Sequence, residues 1–285
     1  MIKRIPASSF RTQKRNGKGV KNQDDSTNAV IRTNTIDSLM IFSDKGKMYR
    51  LLVNDIPVGT NVSKGTSVKS LINMDMDEQP AVMYSIYRDN DAAYVLFVTK
   101  NGLVKKTPLD EYVKTKKKTG IAAISIKDGD ELAAVSLIKD EQLILVTSNG
   151  MGIRFDSKEI SPTSRATSGV KGINMADGDS IVAAIPVRNA NDKLAVFVQR
   201  GMAKKFNLDE LPIQKRAGKG LMCYKPTDST GKVAAATLIE DADNVLVIGD
   251  STSICISAED IPVLGRSSVG NQVIKNNTIK SVSKV

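Results

Sequence analysis

Val98-Thr99-Lys100-Asn101-Gly102-Leu103-Val104-Lys105-Lys106-Thr107 reads as two short strands about a tight turn. Asn-Gly supplies the positive φ that short hairpin loops demand, and the flanks are β-branched and apolar. The arrangement recurs down the chain, with turn glycines at Gly46, Gly102, Gly150 and Gly201 and with Thr252 in the equivalent place. A second glycine follows each turn by 18 or 19 residues, at Gly65, Gly120, Gly169, Gly220 and Gly270. Spacings between turns are 56, 48, 51 and 51. A period near fifty means one structural unit used repeatedly. Gly19 extends the series backward to a turn at position 0, so six units are expected, the first without its opening strand.

Aligned on the turns, 39–52, 94–107, 143–155, 194–206 and 245–256 are hairpins. A third strand follows the second glycine, as at 121–126 and 170–173, and a fourth follows an acidic Gly-Asp turn, at 131–138, 180–187 and 233–239. Residues 108–112 and 207–211 suit single helical turns. Alternation with period two excludes a helical solenoid. Four strands and about fifty residues per unit are the numbers of a propeller blade. The expectation is one all-β, six-bladed domain over 1–285, with blades near 1–35, 36–88, 89–139, 140–189, 190–240 and 241–285.

Composition narrows the function. No apolar run approaches the ~20 residues that cross a bilayer, and no signal-peptide pattern opens the chain, so a cytoplasmic location without membrane contact is expected. Cys223 and Cys255 lack metal-ligand spacing, and histidine is absent. No metal, cofactor or catalytic residue is therefore assigned. Neither Gly17-Lys18 nor Gly218-Lys219 has the glycine five residues upstream that a phosphate-binding loop needs. Aromatic residues make up 4% of the chain and tryptophan is absent, leaving little to stack on splayed bases. Against these absences stands a formal charge of +10, which points to a polyanionic partner.

That charge keeps step with the repeat. Four residues past each turn position stand Arg4, Arg50, Lys106, Arg154, Lys205 and Ile256, and the preceding position adds Lys3, Lys105 and Lys204. A second basic address lies in the loop before the second glycine: Lys14, Arg15 and Lys18; Lys64; Lys116, Lys117 and Lys118; Arg165, with Lys171 just beyond; Lys215, Arg216 and Lys219; and Arg266. A stripe of this kind along successive blades suits duplex DNA, whose charge density is even and whose neutralisation releases counterions. Solubilising edge charges account for Lys64 or Lys171 equally well. They do not account for seven basic and no acidic residues between Met1 and Gln23.

The first unit carries a resemblance. Ile2-Lys3-Arg4-Ile5-Pro6, then Phe10-Arg11-Thr12-Gln13-Lys14-Arg15-Asn16-Gly17-Lys18-Gly19, resembles the opening blade of the C-terminal domain of DNA gyrase A subunits. That family's heptapeptide box reads Gln, basic, Arg, Gly, Gly, basic, Gly. Gln13 to Gly19 match at six of seven positions, with Asn16 at the first glycine; Gln214 to Gly220 repeat the pattern with Ala217 there. Phe42-Ser43-Asp44-Lys45-Gly46-Lys47-Met48-Tyr49-Arg50 and Ser168-Gly169-Val170-Lys171-Gly172-Ile173 are similar too. The resemblance implies a six-bladed β-pinwheel that wraps duplex DNA and exchanges strands between blades. It adds Arg11 and Lys47 to the contact set and gives the box, with Gln13, Gly17 and Gly19, the role of anchor. It also implies two partners in the whole bacterial enzyme, the A subunit's DNA-cleavage region and the ATPase B subunit. The equivalent domain of topoisomerase IV is the near alternative. A protein-interaction propeller of kelch or WD type is the other class, and it would need aromatic blade signatures that are missing.

Overall fold

The computed structural model describes residues 1–17, 19–21, 27–60, 63–87, 90–113 and 119–285. Its framework is five hairpins. They pair Ser38–Ser43 with Lys47–Leu52, Tyr94–Thr99 with Leu103–Pro108, Gln142–Thr147 with Met151–Asp156, Lys193–Val198 with Met202–Asn207, and Asn244–Gly249 with Thr252–Ser257. Each hairpin gains a long strand against its first arm: Pro80–Ile86, Leu132–Ile138, Ile181–Val187, Val233–Ile239 and Ile279–Lys284 in turn. Against its second arm lies a two-residue strand: Ile121–Ala122, Val170–Lys171, Leu221–Met222, Asn271–Gln272 and Val20–Lys21.

Five four-stranded antiparallel blades result among the described residues, so the expected sixth is not formed. The short strand after each second glycine pairs with the hairpin of the preceding unit, as Ile121 does with Met48 and Val170 with Val104. The strand after Gly19 therefore belongs to the fifth hairpin, where Val20 pairs with Ser253. Ile2 and Arg4 make only isolated bridges, to Thr66 and Val58, and join none of the five sheets. Counting second glycines counted the loops, and a loop without a hairpin is not a blade.

The first arm of each hairpin is buried on both faces, which is why Leu39-Met40-Ile41-Phe42 and Leu194-Ala195-Val196-Phe197 read as unbroken apolar runs. The chain groups into two compact units. Met1–Pro6, Ile31–Glu141 and Ser157–Gly172 hold the first two blades; Ala7–Val30, Gln142–Asp156 and Ile173–Val285 hold the other three. In the former, Met40 and Phe42 pack on Val95, Phe97 and Tyr112, with Phe42 and Phe97 edge-to-face at 5.3 Å. In the latter, Ile144 and Val146 meet Val196 and Phe206, and Phe197 meets Val247 and Ile254. Each such side chain contributes roughly 1.5–3 kcal/mol by leaving water.

Two glycines show what fixes the repeat. Gly150 turns the third hairpin at φ +84°, where a Cβ would stand against the Tyr224 carbonyl oxygen. Gly220 has φ +73°, and its Cβ would meet the Gly152 carbonyl. Both are left-handed and crowded by backbone, so only glycine fits without strain. The expected helical turns form at Asp110–Val113 and Leu208–Glu210.

Candidate nucleic-acid interface

The two basic addresses have opposite structural fates. At the strand address, Arg4, Lys106, Arg154 and Lys205 each bridge in parallel to the incoming loop, at Val58, Pro162, Ile213 and Val263. Their charges run along that junction to carbonyls of the next helical turn. Arg4 Nε donates to Ile56 O at 2.7 Å, Lys106 Nζ to Ser157 O at 3.1 Å, Arg154 Nη1 to Leu208 O at 2.9 Å, and Lys205 Nζ to Ala258 O at 2.8 Å. Lys205 also pairs with Asp241 at 2.6 Å, and Lys106 lies 4.6 Å from the centre of the Tyr94 ring. With 3% and 2% exposure, Lys106 and Lys205 present nothing to a macromolecule. Arg50 alone at this address is exposed. In the fifth hairpin the register places Ser251 at the turn and Cys255 at the address, opposite Leu246, rather than Thr252 and Ile256.

One residue earlier, Lys105 and Lys204 are 1% and 0% exposed. Lys105 Nζ donates to Ala123 O at 2.6 Å and Arg165 O at 2.7 Å. Lys204 Nζ donates to Gly265 O at 3.0 Å and to Arg266 O, near the rings of Phe206 and Tyr224. Burial pushes both ammonium groups down to about 8, partly offset by Glu111 at Lys105 and by Cys223 and Glu210 at Lys204. Lys3, half-buried, reaches Thr60 O and Ser63 O, each at 2.7 Å.

The loop address is where charge meets solvent. Lys14, Arg15, Lys64, Lys215 and Lys219 are exposed, as are Arg11 and Lys171; Arg165, Arg216 and Arg266 are half-buried. In the first box Gln13 N donates to Cys255 O at 2.7 Å, and Gly17 N closes a turn onto Lys14 O at 3.0 Å. The Gln13 carboxamide oxygen then accepts from Gly19 N at 3.1 Å, folding the loop over itself. Asn16 sits at φ +59°, and Ala217, its counterpart in the second box, at φ +65°. Both departures from the heptapeptide thus keep the left-handed backbone of the glycine they replace. In the second box Gln214 N donates to Arg154 O at 2.7 Å, the same anchor by register. Lys14, Arg15 and Asn16 border an open depression with Asp260, Asn271 and Gln272.

Other expected contacts are partly spent. Lys47 is held by Asp75 and Glu78, both at 2.5 Å, and these carboxylates raise its pKa. Arg165 pairs with Glu111 at 3.6 Å. Arg266 donates to Met222 O at 2.8 Å. Lys18 and Lys117, with Lys116 and Lys118, lie outside the described residues. The carbonyl-directed lysines had a legible signal in the sequence. Lys105-Lys106 and Lys204-Lys205 are consecutive within a strand, so their side chains leave on opposite faces and cannot share one surface.

The family model described as DNA gyrase C-terminal domain, beta-propeller, matches residues 1–32, 37–75, 93–139, 141–188, 192–240 and 256–280. The DNA gyrase A protein of Clostridium acetobutylicum is 34% identical over 282 residues, covering 97% of this chain and 34% of that protein. That of Lawsonia intracellularis is 31% identical over 283 residues, covering 96% and 34%. The chain therefore spans about a third of the length of these relatives. A solved DNA gyrase A C-terminal domain superposes with a TM-score of 0.87 at 25% identity, over 99% of this chain and 95% of that one. A DNA topoisomerase IV C-terminal domain gives 0.78 at 28%, over 99% and 89%.

Proposed function

This chain belongs to the DNA gyrase C-terminal domain family, and on that premise we propose that it binds and bends duplex DNA along its basic loops. The observation that carries the reading is the pair of box loops, Gln13 to Gly19 and Gln214 to Gly220, with Lys14, Arg15, Lys215 and Lys219 exposed on a left-handed, glycine-rich backbone. Such a loop lets backbone N–H groups and cationic side chains approach phosphate together. Phosphate contacts position DNA without reading its sequence, so preference among sequences is weak. Bending a 20–30 base-pair site by 40–90° costs ~1–6 kcal/mol, and several loops, not one, must offset it.

The contact set is Gln13, Lys14, Arg15, Gly17, Lys18 and Gly19 in the first box, Lys215, Arg216 and Lys219 in the second, with Arg11, Arg50, Lys64, Lys117, Arg165 and Lys171 as further phosphate partners. Lys3, Arg4, Lys47, Lys105, Lys106, Arg154, Lys204 and Lys205 serve the interface by fixing the elements beneath it. In the whole bacterial enzyme this domain works beside the A subunit's DNA-cleavage region and the ATPase B subunit, which hold the chemistry. Wrapping then presents a DNA segment for negative supercoiling in the cytoplasm.

The test is affinity for random duplex at 50 and 200 mM salt. Each neutralised phosphate contributes about 0.9 to the slope of log K against log salt. Replacing both Lys14 and Arg15 by alanine is expected to flatten that slope by about 2 while leaving thermal stability within ~0.5 kcal/mol. A salt-independent affinity would overturn the reading.

A further inference from the structure

The five described loops at the box address fall into two classes that never mix. By hairpin register the residue beneath each loop is Lys3, Lys105, Ile153, Lys204 or Ile254. The residues that open the loops above them are Gly59, Thr163, Gln214, Leu264 and Gln13, each donating its N–H to the strand below. Wherever glutamine opens the loop, the residue beneath is an isoleucine, buried at Ile153 and Ile254 alike. Wherever it does not, the residue beneath is a lysine whose ammonium takes the loop's carbonyls.

A third position follows the same division. Four residues after the opening residue stands Gly17 or Gly218 in the glutamine loops, and Ser63, Thr167 or Ser268 in the lysine loops. At Gly17 the cause is steric, since a Cβ there would lie 2.8 Å from Gln13 Oε1 and the carboxamide would have to shift. At Gly218 a Cβ would lie 3.5 Å from Gln214 Oε1, in ordinary contact. In the lysine loops no carboxamide competes for the place. There Ser63 Oγ bonds Thr60 O at 3.1 Å and Thr167 Oγ1 bonds Ser164 O at 3.0 Å.

We infer that Lys105 and Lys204 are positioning residues which fasten the Arg165 and Arg266 loops from below, where the Gln13 carboxamide fastens the first box loop from within. The inference rests on the DNA-binding reading for its consequence, since the fastened loops are what presents Arg165 and Arg266 to phosphate. The geometry of the fastening stands apart from it. The carbonyls concerned belong to loops whose residues Ser164, Gly265 and Ser267 are exposed. Water therefore takes over those carbonyls when the ammonium is lost, and the loop loosens without the blade unfolding.

The experiment converts one class into the other. Lys204→Ile alone is expected to raise amide hydrogen exchange across 264–270, including Ser268 N–H, whose acceptor is Gly265 O at 2.9 Å. It is also expected to weaken duplex binding several-fold at fixed salt. Adding Leu264→Gln and Ser268→Gly should return both protection and affinity to within about twofold of the parent. Leu264→Gln with Ser268→Gly over an intact Lys204 should gain no protection in 264–270 over the parent. The inference is overturned if the triple variant exchanges as fast as Lys204→Ile, or if Lys204→Ile leaves exchange in 264–270 unchanged. Should the parent chain itself not bind duplex, the DNA-binding reading fails while the exchange measurements still decide the fastening.

Discussion

Lys204 and Lys205 in the fourth hairpin and Lys14 and Arg15 in the first box are indistinguishable as charge along the sequence, yet the fold uses them in opposite ways. The hairpin pair is buried, each ammonium aimed at carbonyls across a junction between repeats. The box pair is exposed on a loop that is clasped by its own glutamine. Periodic charge in a repeat protein thus has two sources. One is a surface that recurs, and the other is a joint that recurs. Only depth within the blade separates them.

The sharpest way to break that comparison is to remove a joint cation. Lys205→Ala deletes the bond to Ala258 O and the ion pair to Asp241, and it opens a gap beside the Val263 bridge. Losing a buried, hydrogen-bonded charge that leaves its partners behind costs about 3–5 kcal/mol. Asp241 is partly solvated and recovers water, which puts the expected loss near the bottom of that range, about 3 kcal/mol. Urea unfolding reads it directly. A loss below about 1 kcal/mol would mean that the strand address is as dispensable as the loop address.

A pH titration sharpens the same contrast. Lys105 and Lys204 release their protons near 8 in the folded chain because burial disfavours the charge, while an unfolded lysine holds on to about 10.5. Between those values the unfolded state binds more protons, so stability rises with pH in that window. Running the other way, the gain is fully present above 10.5 and is lost as pH falls through 8. The slope is on the order of 1 kcal/mol per pH unit for each lysine. Lys105→Met with Lys204→Met should flatten it, whereas Lys14→Ala with Arg15→Ala should leave it unchanged. An identical slope in all three proteins would remove burial as the cause.

Much of the architecture was legible because it depends on local chemistry. Asn-Gly turns, alternating flanks and the glycine after 18 or 19 residues locate the hairpins and the exchanged strands, since each reflects a backbone conformation few residues tolerate. The blade number was not legible. It depends on which hairpin a loop joins, and Gly19 looks the same whether its strand completes a first blade or a fifth. The last turn slipped by one residue for a related reason: Asp250-Ser251-Thr252 contains no glycine to mark the position. At the candidate interface the box glutamine and its glycines were legible as a loop of set pattern, and the bond from Gly19 N to the Gln13 carboxamide emerged only with the structure. The carbonyl-directed lysines showed only as consecutive pairs, Lys105-Lys106 and Lys204-Lys205, that must leave a strand on opposite faces. That both members are buried was not legible, because a strand packed on both faces hides a cation as readily as it hides leucine.

The smallest effect compares the two boxes with each other. Asn16 and Ala217 occupy equivalent left-handed positions at φ +59° and +65°. Asparagine visits that region readily, whereas an ordinary L-residue pays about 1–2 kcal/mol in Cβ contact with its own carbonyl. Ala217→Gly relieves that strain but gives back about 0.4–1 kcal/mol of unfolded-chain entropy. The net expectation is a stabilisation of about 0.5–1 kcal/mol at Ala217 and close to zero for Asn16→Gly. Thermal unfolding of the two variants side by side measures the difference. If Ala217→Gly destabilises instead, the half-buried methyl packs well enough to outweigh its strain, and the second box is held by contacts that the first does not share.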